Sequence, residues 1–395
     1  MTDYARPYRG LKVLDMSQGV AGPHAGMLLA LYGADVIKVE PEAGDWIRPI
    51  GVRYGQHSAH GVYYSRGKRS IALDMKSKDG LEIIYRLASD ADVVIESFRP
   101  GVAERLKIGY EDIRRINRRA LYLSVSGFGQ EGPYRERPCT DTVAQAFSGL
   151  MSVNTGNDGA PVKVGAVLVD SITGLFAYQA VATALYARGE TGEGRHIDVS
   201  LMQGAAAILA PKILEAHLQG GTPQAFNPPA GNFETKDGWI AVTLVRDAEF
   251  VKTARLIGLP HLADDPRLQT FADRAARLDE LMGQLRTRYR EKTTAEWMAI
   301  LKPEGILCEP VNTFNDWLAD EHVRAVQAAP AADQPGVGES PLARVPGAPQ
   351  SPADIGDAPG IGQHGEAILT ELGYSAQEIA DMAARRAVFP GEKTT

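Results

Sequence analysis

The stretch VGAVLVDSITGLFAYQAVATALYARGETGEGRHIDVSL, residues 164–201, sets one carboxylate, Asp170, between an apolar run and a long apolar-rich segment. Two readings are open for it. Aspartate is a favoured helix N-cap, and DSITGLFAYQAVATALYA is the helix such a cap would start. The neighbours Val167, Leu168, Val169, Ile172, Leu175 and Phe176 also point to restricted water. A poorly hydrated carboxylate is the more nucleophilic one. The two readings are compatible.

Other candidates carry less. Gly19, Gly22 and Gly26 crowd a strand-to-helix turn, and Glu40 ends the next strand, where an acid could hold a ribose hydroxyl. The spacing is not G-x-G-x-x-G and Pro23 intrudes, so the turn reads as tight packing against a sheet, with anion binding at the helix N-terminus left open. His57 and His60 lack a Cys or carboxylate cluster at ligand spacing and read as surface-loop histidines, so no metal is expected. Cys139 and Cys308 are the only cysteines. They form no disulfide framework or zinc pattern, read as small buried hydrophobes, and fit a reducing, cytoplasmic setting. No G-x-S-x-G elbow supports a hydrolase triad. Lys68, Arg69, Lys76, Arg99 and Arg105 flank strand-like segments and are candidates for the phosphates of a nucleotide-like ligand.

These residues need elements to position them. LKVLD, a helical stretch from Pro23 to Gly33, and VIKV read as strand, helix, strand. The alternation continues through SIALDM, SKDGLEIIYRLASDA, DVVIES, YEDIRRINRRA and LYLSVSGFG, which implies an α/β fold with a mainly parallel sheet. FETKDGWIAVTLV reads as a hairpin turning at Lys236-Asp237-Gly238, followed by helices. The expected organisation is a large domain over 1–200, a linker over 201–224, a smaller α+β domain over 225–325, and a Pro/Gly-rich connector with C-terminal helices over 326–395 that returns to the large domain. With 42 Lys+Arg against 49 Asp+Glu, a net charge of -7 offers no attraction to nucleic acid or anionic membrane. The apolar stretches are interrupted before membrane-spanning length, so a soluble chain with no membrane partner is expected.

Taken in order, LDMSQGVAGPHAGMLLALYGADVIKVE, SRGKRSIALDMKSKDG, ADVVIESFRPGVAERL, SVSGFGQEGPY, TVAQAFSGL, the Asp170 stretch and CEPVNTFNDWLADEHVRA resemble the class III CoA-transferase family, which includes formyl-CoA transferase, carnitine CoA-transferase and the α-methylacyl-CoA racemases. The resemblance implies a Rossmann-like CoA-binding large domain, a smaller domain and an interlocked homodimer. It implies that Asp170 attacks an acyl-CoA thioester to give a mixed anhydride and then an aspartyl-CoA thioester, with coenzyme A and a small carboxylic acid as the ligands. By the same matching, Gln18 faces the acyl or aspartyl intermediate, and Leu73, Lys76, Phe98 and Arg105 fall where CoA contacts lie.

The sequence departs from the family in two places. Pro41 stands where an Arg commonly follows the second-strand Glu, leaving Arg48 or Arg53 as substitutes for that phosphate contact. Cys139-Thr140-Asp141 stands where racemases carry Gly-His-Asp. A racemase needs two bases, so the missing His favours a transferase. The alternative kept open is an acyl-CoA α-carbon racemase with Asp170 as base and Asp141 or a water as its partner. The loop after Pro228 lacks the glycine run of formyl-CoA transferase, which disfavours oxalate and formate, and Arg246 is a candidate partner for a second substrate carboxylate.

Overall fold

A computed structural model describes residues 5–156, 159–221 and 227–391. The chain forms two compact units, Met1–Ala210 with Gln327–Thr395, and Pro211–Val326. The first is built on six parallel strands, β1 Lys12–Asp15, β2 Asp35–Glu40, β3 Arg69–Leu73, β4 Val93–Glu96, β5 Leu121–Ser126 and β6 His196–Ser200. The order across the sheet is β3, β2, β1, β4, β5, β6, and the strand Val388–Phe389 is added antiparallel to β3.

The strand sequences explain this arrangement. VVIE and LYLSVS are buried at every position, as parallel strands covered on both faces must be. One face of the sheet packs Leu14, Val39, Ile71, Ile83 and Ile368, and the other packs Val13, Leu29, Ile95, Val169 and Val181. On the second face α1 Ala21–Leu31 lies against the long helix Leu168–Thr191. A Cβ at Gly174 would stand 2.7 Å from His24 Cβ and 2.8 Å from the Ala21 carbonyl, so only glycine permits that approach.

The connections run from β1 out to β3, then return to β4 on the other side of β1. The strand order therefore reverses at β1, and the C-terminal edge between β1 and β4 is the place where such sheets form a ligand crevice. Further helices of this unit are α2 Ala59–Ser65, α3 Lys78–Ser89, α4 Val102–Arg105, α5 Tyr110–Ile116 and α6 Asp141–Phe147. The long helix Leu168–Thr191 is α7. The span 201–224, read from sequence as a linker that opens with a helical stretch beyond Leu201, is mostly helix α8, Leu201–Leu218, and its residues 222–224 lie outside the described residues.

In the second unit Gly231–Glu234, Trp239–Thr243 and Leu307–Pro310 make an antiparallel sheet with the middle segment at its centre. Its hairpin turns where expected, with the Thr235 amide bonded to the Gly238 carbonyl at 2.9 Å. Helices bury Trp297, Phe250 and Tyr289 against Phe233.

Candidate active site

The β1–α1 loop crosses the crevice, and side chains hold three of its successive amides. Ser17 N donates to Asp15 Oδ1 at 3.0 Å, Gln18 N to Ser97 Oγ at 2.8 Å and Gly19 N to Asp45 Oδ1 at 2.9 Å. Beneath them Lys68 Nζ donates to Asp15 Oδ2 and the Pro23 carbonyl, both at 2.7 Å, while Lys38 Nζ donates to Asp45 Oδ2 at 2.8 Å and the Ser17 carbonyl at 3.0 Å. All four charged side chains are buried. Such pairs contribute little net stability but fix geometry, because breaking one strands a buried charge. Gly19 has φ +86°, and a Cβ there would stand 2.4 Å from the Trp46 ring.

Several candidates are consumed by this framework. Glu40 is buried and accepts from Arg48 Nε at 2.7 Å, Arg48 Nη2 at 2.8 Å and Ser70 Oγ at 2.7 Å, so its oxygens are spent, while Arg48 keeps a buried Nη1 without a partner among the described residues. Lys68 is locked to Asp15, and Arg69 pairs with Asp35 at 2.7 Å and Glu371 at 2.8 Å. The glycines pack tightly: a Cβ at Gly22 would stand 2.5 Å from Ser17 Cβ, and one at Gly26 2.6 Å from Asp15 Oδ2. His57 is buried rather than on the surface, and burial lowers its affinity for a proton. Among the described residues no group of three metal-ligating side chains forms. Arg246 pairs with Glu249 at 2.9 Å.

Asp170 is not the helix cap. Helix α7 begins at Leu168 with Val167 in the N-cap position, which places Asp170 in the first turn. Asp141 caps the helix instead, at the start of α6. Its Oδ2 accepts from Val169 N at 2.7 Å and Asp170 N at 3.2 Å, and its Oδ1 accepts from Gln145 Nε2 at 2.6 Å. The Asp170 carboxylate itself accepts no hydrogen bond among the described residues. Burial, with the charge of Asp141 adding to it, pushes Asp170 up to about 7.

The next residue organises the surroundings. Ser171 Oγ pairs with the Tyr64 hydroxyl at 2.9 Å, and its carbonyl lies 3.0 Å from His24 Nδ1. A carbonyl only accepts, so Nδ1 carries the proton. Burial holds His24 down to about 4, so it is neutral near pH 7. Cys139 is half-buried, and burial with the nearby Asp170 pushes its thiol up to about 11, so it is no thiolate nucleophile.

The remaining expected residues lie at or beyond strand C-terminal ends. Gln18 is in the crevice loop, and its side-chain amide has no partner among the described residues. Phe98 follows β4, with its amide donating to Glu96 Oε2 at 2.7 Å, and Arg105 is exposed at the end of α4. Lys76 is exposed in the turn after β3. Leu73 ends β3 with its side chain in the core, which leaves only its backbone for a ligand. Lys76, Arg99 and Arg105 carry no ion pair among the described residues, the property a phosphate ligand requires. The sequence reading missed Tyr64, His24, Ser171, Ser97 and Asp45, whose partners are distant in the chain.

Comparison with known proteins adds a family. Residues 8–365 match the family model described as CoA-transferase family III. The chain is 34% identical to the succinyl-CoA:glutarate CoA-transferase of Mus musculus over 94% of this chain and 87% of the relative. It is 36% identical to the acetyl-CoA:oxalate CoA-transferase of Acetobacter aceti over 77% of this chain and 80% of the relative. The crystal structure of a CAIB/BAIF family protein from Brucella suis superimposes with a TM-score of 0.81 at 33% identity, covering 93% of this chain and 99% of that one.

Proposed function

The chain belongs to CoA-transferase family III, and from that membership we propose that it moves CoA between an acyl-CoA and a carboxylic acid through covalent intermediates on Asp170. The observation that carries this reading is the state of Asp170: a carboxylate at about 7, with unspent oxygens, in the first turn of a helix whose amides another acid satisfies. Half ionised near neutrality, it combines an anionic fraction with the reduced hydration that favours attack.

In the proposed sequence an Asp170 oxygen attacks the thioester carbonyl, the C–S bond breaks, and a mixed anhydride and CoA thiolate form. The thiolate attacks the aspartyl carbonyl, expels the donor acid and leaves an aspartyl-CoA thioester. An acceptor carboxylate then attacks that thioester and the thiolate returns to the new acyl group, which restores Asp170. Each intermediate keeps the acyl activation that hydrolysis would discard. Gln18, held in the crevice loop, serves the carbonyl oxygens of these intermediates. Phe98, the Leu73 backbone, Lys76 and Arg105 serve CoA, with Arg99 as a further phosphate partner.

Homodimer formation is supported by the outward side of α7, where Leu175 is 45% and Tyr186 81% exposed. This helix has the length and composition to cross a membrane, yet it carries Asp170 and the ion-paired Arg188 and packs on α1. A reducing cytoplasmic setting fits free Cys139 and Cys308. Racemisation is disfavoured because both Asp141 oxygens accept N–H bonds, which leaves it poorly placed as a second base.

Incubation with succinyl-CoA or acetyl-CoA followed by hydroxylamine tests the reading, with glutarate as the first acceptor to try and oxalate, which the loop after Pro228 disfavours, as the contrast. A hydroxamate on the Asp170 peptide and loss of transfer are expected. An unaltered Asp170 peptide under turnover overturns it, and α-proton exchange without any acceptor acid supports the racemase instead.

A further inference from the structure

Helix α7 starts with a defect. Val167, its N-cap residue, has no side-chain acceptor, and no side-chain cap bond forms there. The first amides of a helix need partners. A first-turn carboxylate such as Asp170 is the nearest local candidate, and folding back onto those amides would spend the oxygens that a nucleophile must present.

Asp141 removes that conflict from outside the helix. It lies 28 residues before Val169 and is 5% exposed. Its Oδ2 takes the Val169 and Asp170 amides at 2.7 and 3.2 Å. Its Oδ1 takes Gln145 Nε2 at 2.6 Å, and Gln145 Oε1 in turn accepts the Val164 amide at 2.9 Å. Gln145 is fully buried one turn along the same helix. The two side chains thus brace residues 164–170 from both ends.

We propose that Asp141, braced by Gln145, is the positioning residue for Asp170: it caps α7 in trans and holds the reacting carboxylate with its own oxygens free. This rests on the reading of Asp170 as the nucleophile. Other groups coupled to that carboxylate are Tyr64 from α2 and the Cys139 thiol before α6, while neutral His24 from α1 meets the adjacent Ser171 carbonyl. Among them Asp141 is the carboxylate whose charge adds to the burial that raises Asp170.

The chain of donors and acceptors supplies a specific test. Asp141→Asn replaces one acceptor with a donor that faces Gln145 Nε2. Adding Gln145→Glu restores an acceptor for that donor and for the Val164 amide, but moves the negative charge one link away from Asp170. We expect Asp141→Asn to lower kcat about 10- to 100-fold with KM for acyl-CoA within about threefold. The double variant recovers most of that kcat, and its acid limb in the pH–rate profile lies below that of the wild type. Melting temperatures are measured alongside. A single variant that loses stability yet keeps kcat and its acid limb overturns the proposal. If the single variant does not fold, an unmoved acid limb in the double variant overturns it. Mass analysis of the Asp170 peptide separates the two readings. No adduct in the wild type defeats the nucleophile, whereas an adduct formed equally fast in Asp141→Asn defeats Asp141 alone.

Discussion

Gln18 and Ser97 tie together the loops after β1 and β4. The Gln18 amide donates to Ser97 Oγ at 2.8 Å and the same hydroxyl donates to the Gln18 carbonyl at 3.1 Å. One hydroxyl therefore satisfies both backbone groups of the residue proposed to serve the intermediates. Ser97→Ala leaves both unpaired where the two loops are tied. It is expected to lower kcat about 10-fold through lost orientation while changing KM for acyl-CoA little. Steady-state kinetics on the folded variant check this, and a pure KM effect would count against Gln18 acting in the chemical steps.

Asp170 should lower stability above neutral pH. Its ordinary value of 3.8 is raised to about 7 in the folded chain. Between those values the folded state holds a proton that the unfolded state has released. Its contribution to stability is thus fully present below about pH 4 and is lost as pH rises through 7. Asp170→Asn is expected to gain up to about 4 kcal/mol at pH 8 and little at pH 4. Urea unfolding at the two pH values measures the difference. A strongly destabilised variant would restore Asp170 as a structural cap.

The limits of the sequence are visible at the same helix. Alternating strands and helices disclosed the parallel sheet, because fully buried runs such as VVIE and LYLSVS carry their environment in their composition. The chemistry around Asp170 was legible only in part. A carboxylate ahead of an apolar helix reads as its cap when only neighbours are considered, but the cap is Asp141, supplied by another helix. The basic residues failed for the same reason. Lys68 and Lys76 look alike in sequence, yet Lys68 finds Asp15, 53 residues away, and Arg69 finds Glu371, 302 residues away. Spacing shows which side of a strand a charge flanks, and only the fold shows whether that charge is already paired.

That distinction divides the lysines by phenotype. Lys76→Ala, which removes an exposed and unpaired ammonium, is expected to raise KM for acyl-CoA several-fold with little change in kcat, and the effect should shrink at high salt. Arg105→Ala should behave alike. Lys68→Met strands Asp15 in the core and is expected to cost about 3–5 kcal/mol of stability. Equal KM effects from the two lysine variants, with equal melting temperatures, would contradict the assignment.

The pH dependence of transfer separates two buried acids. If ionised Asp170 attacks the thioester, kcat/KM should fall about tenfold per unit below pH 7 and level off above it. His24 at about 4 and Cys139 at about 11 lie outside that window. Glu96 lies inside it, because burial pushes it up to about 7 at the end of β4, where it accepts the Phe98 amide. Its ionisation would change the loop that carries Phe98, so it would be read in acyl-CoA binding rather than in the chemical steps. Glu96→Gln is therefore expected to keep the acid limb of kcat near 7 while altering the pH dependence of KM. An acid limb that disappears from kcat in Glu96→Gln, with the Asp170 adduct still forming at low pH, would assign the limb to Glu96 and leave Asp170 ionised throughout.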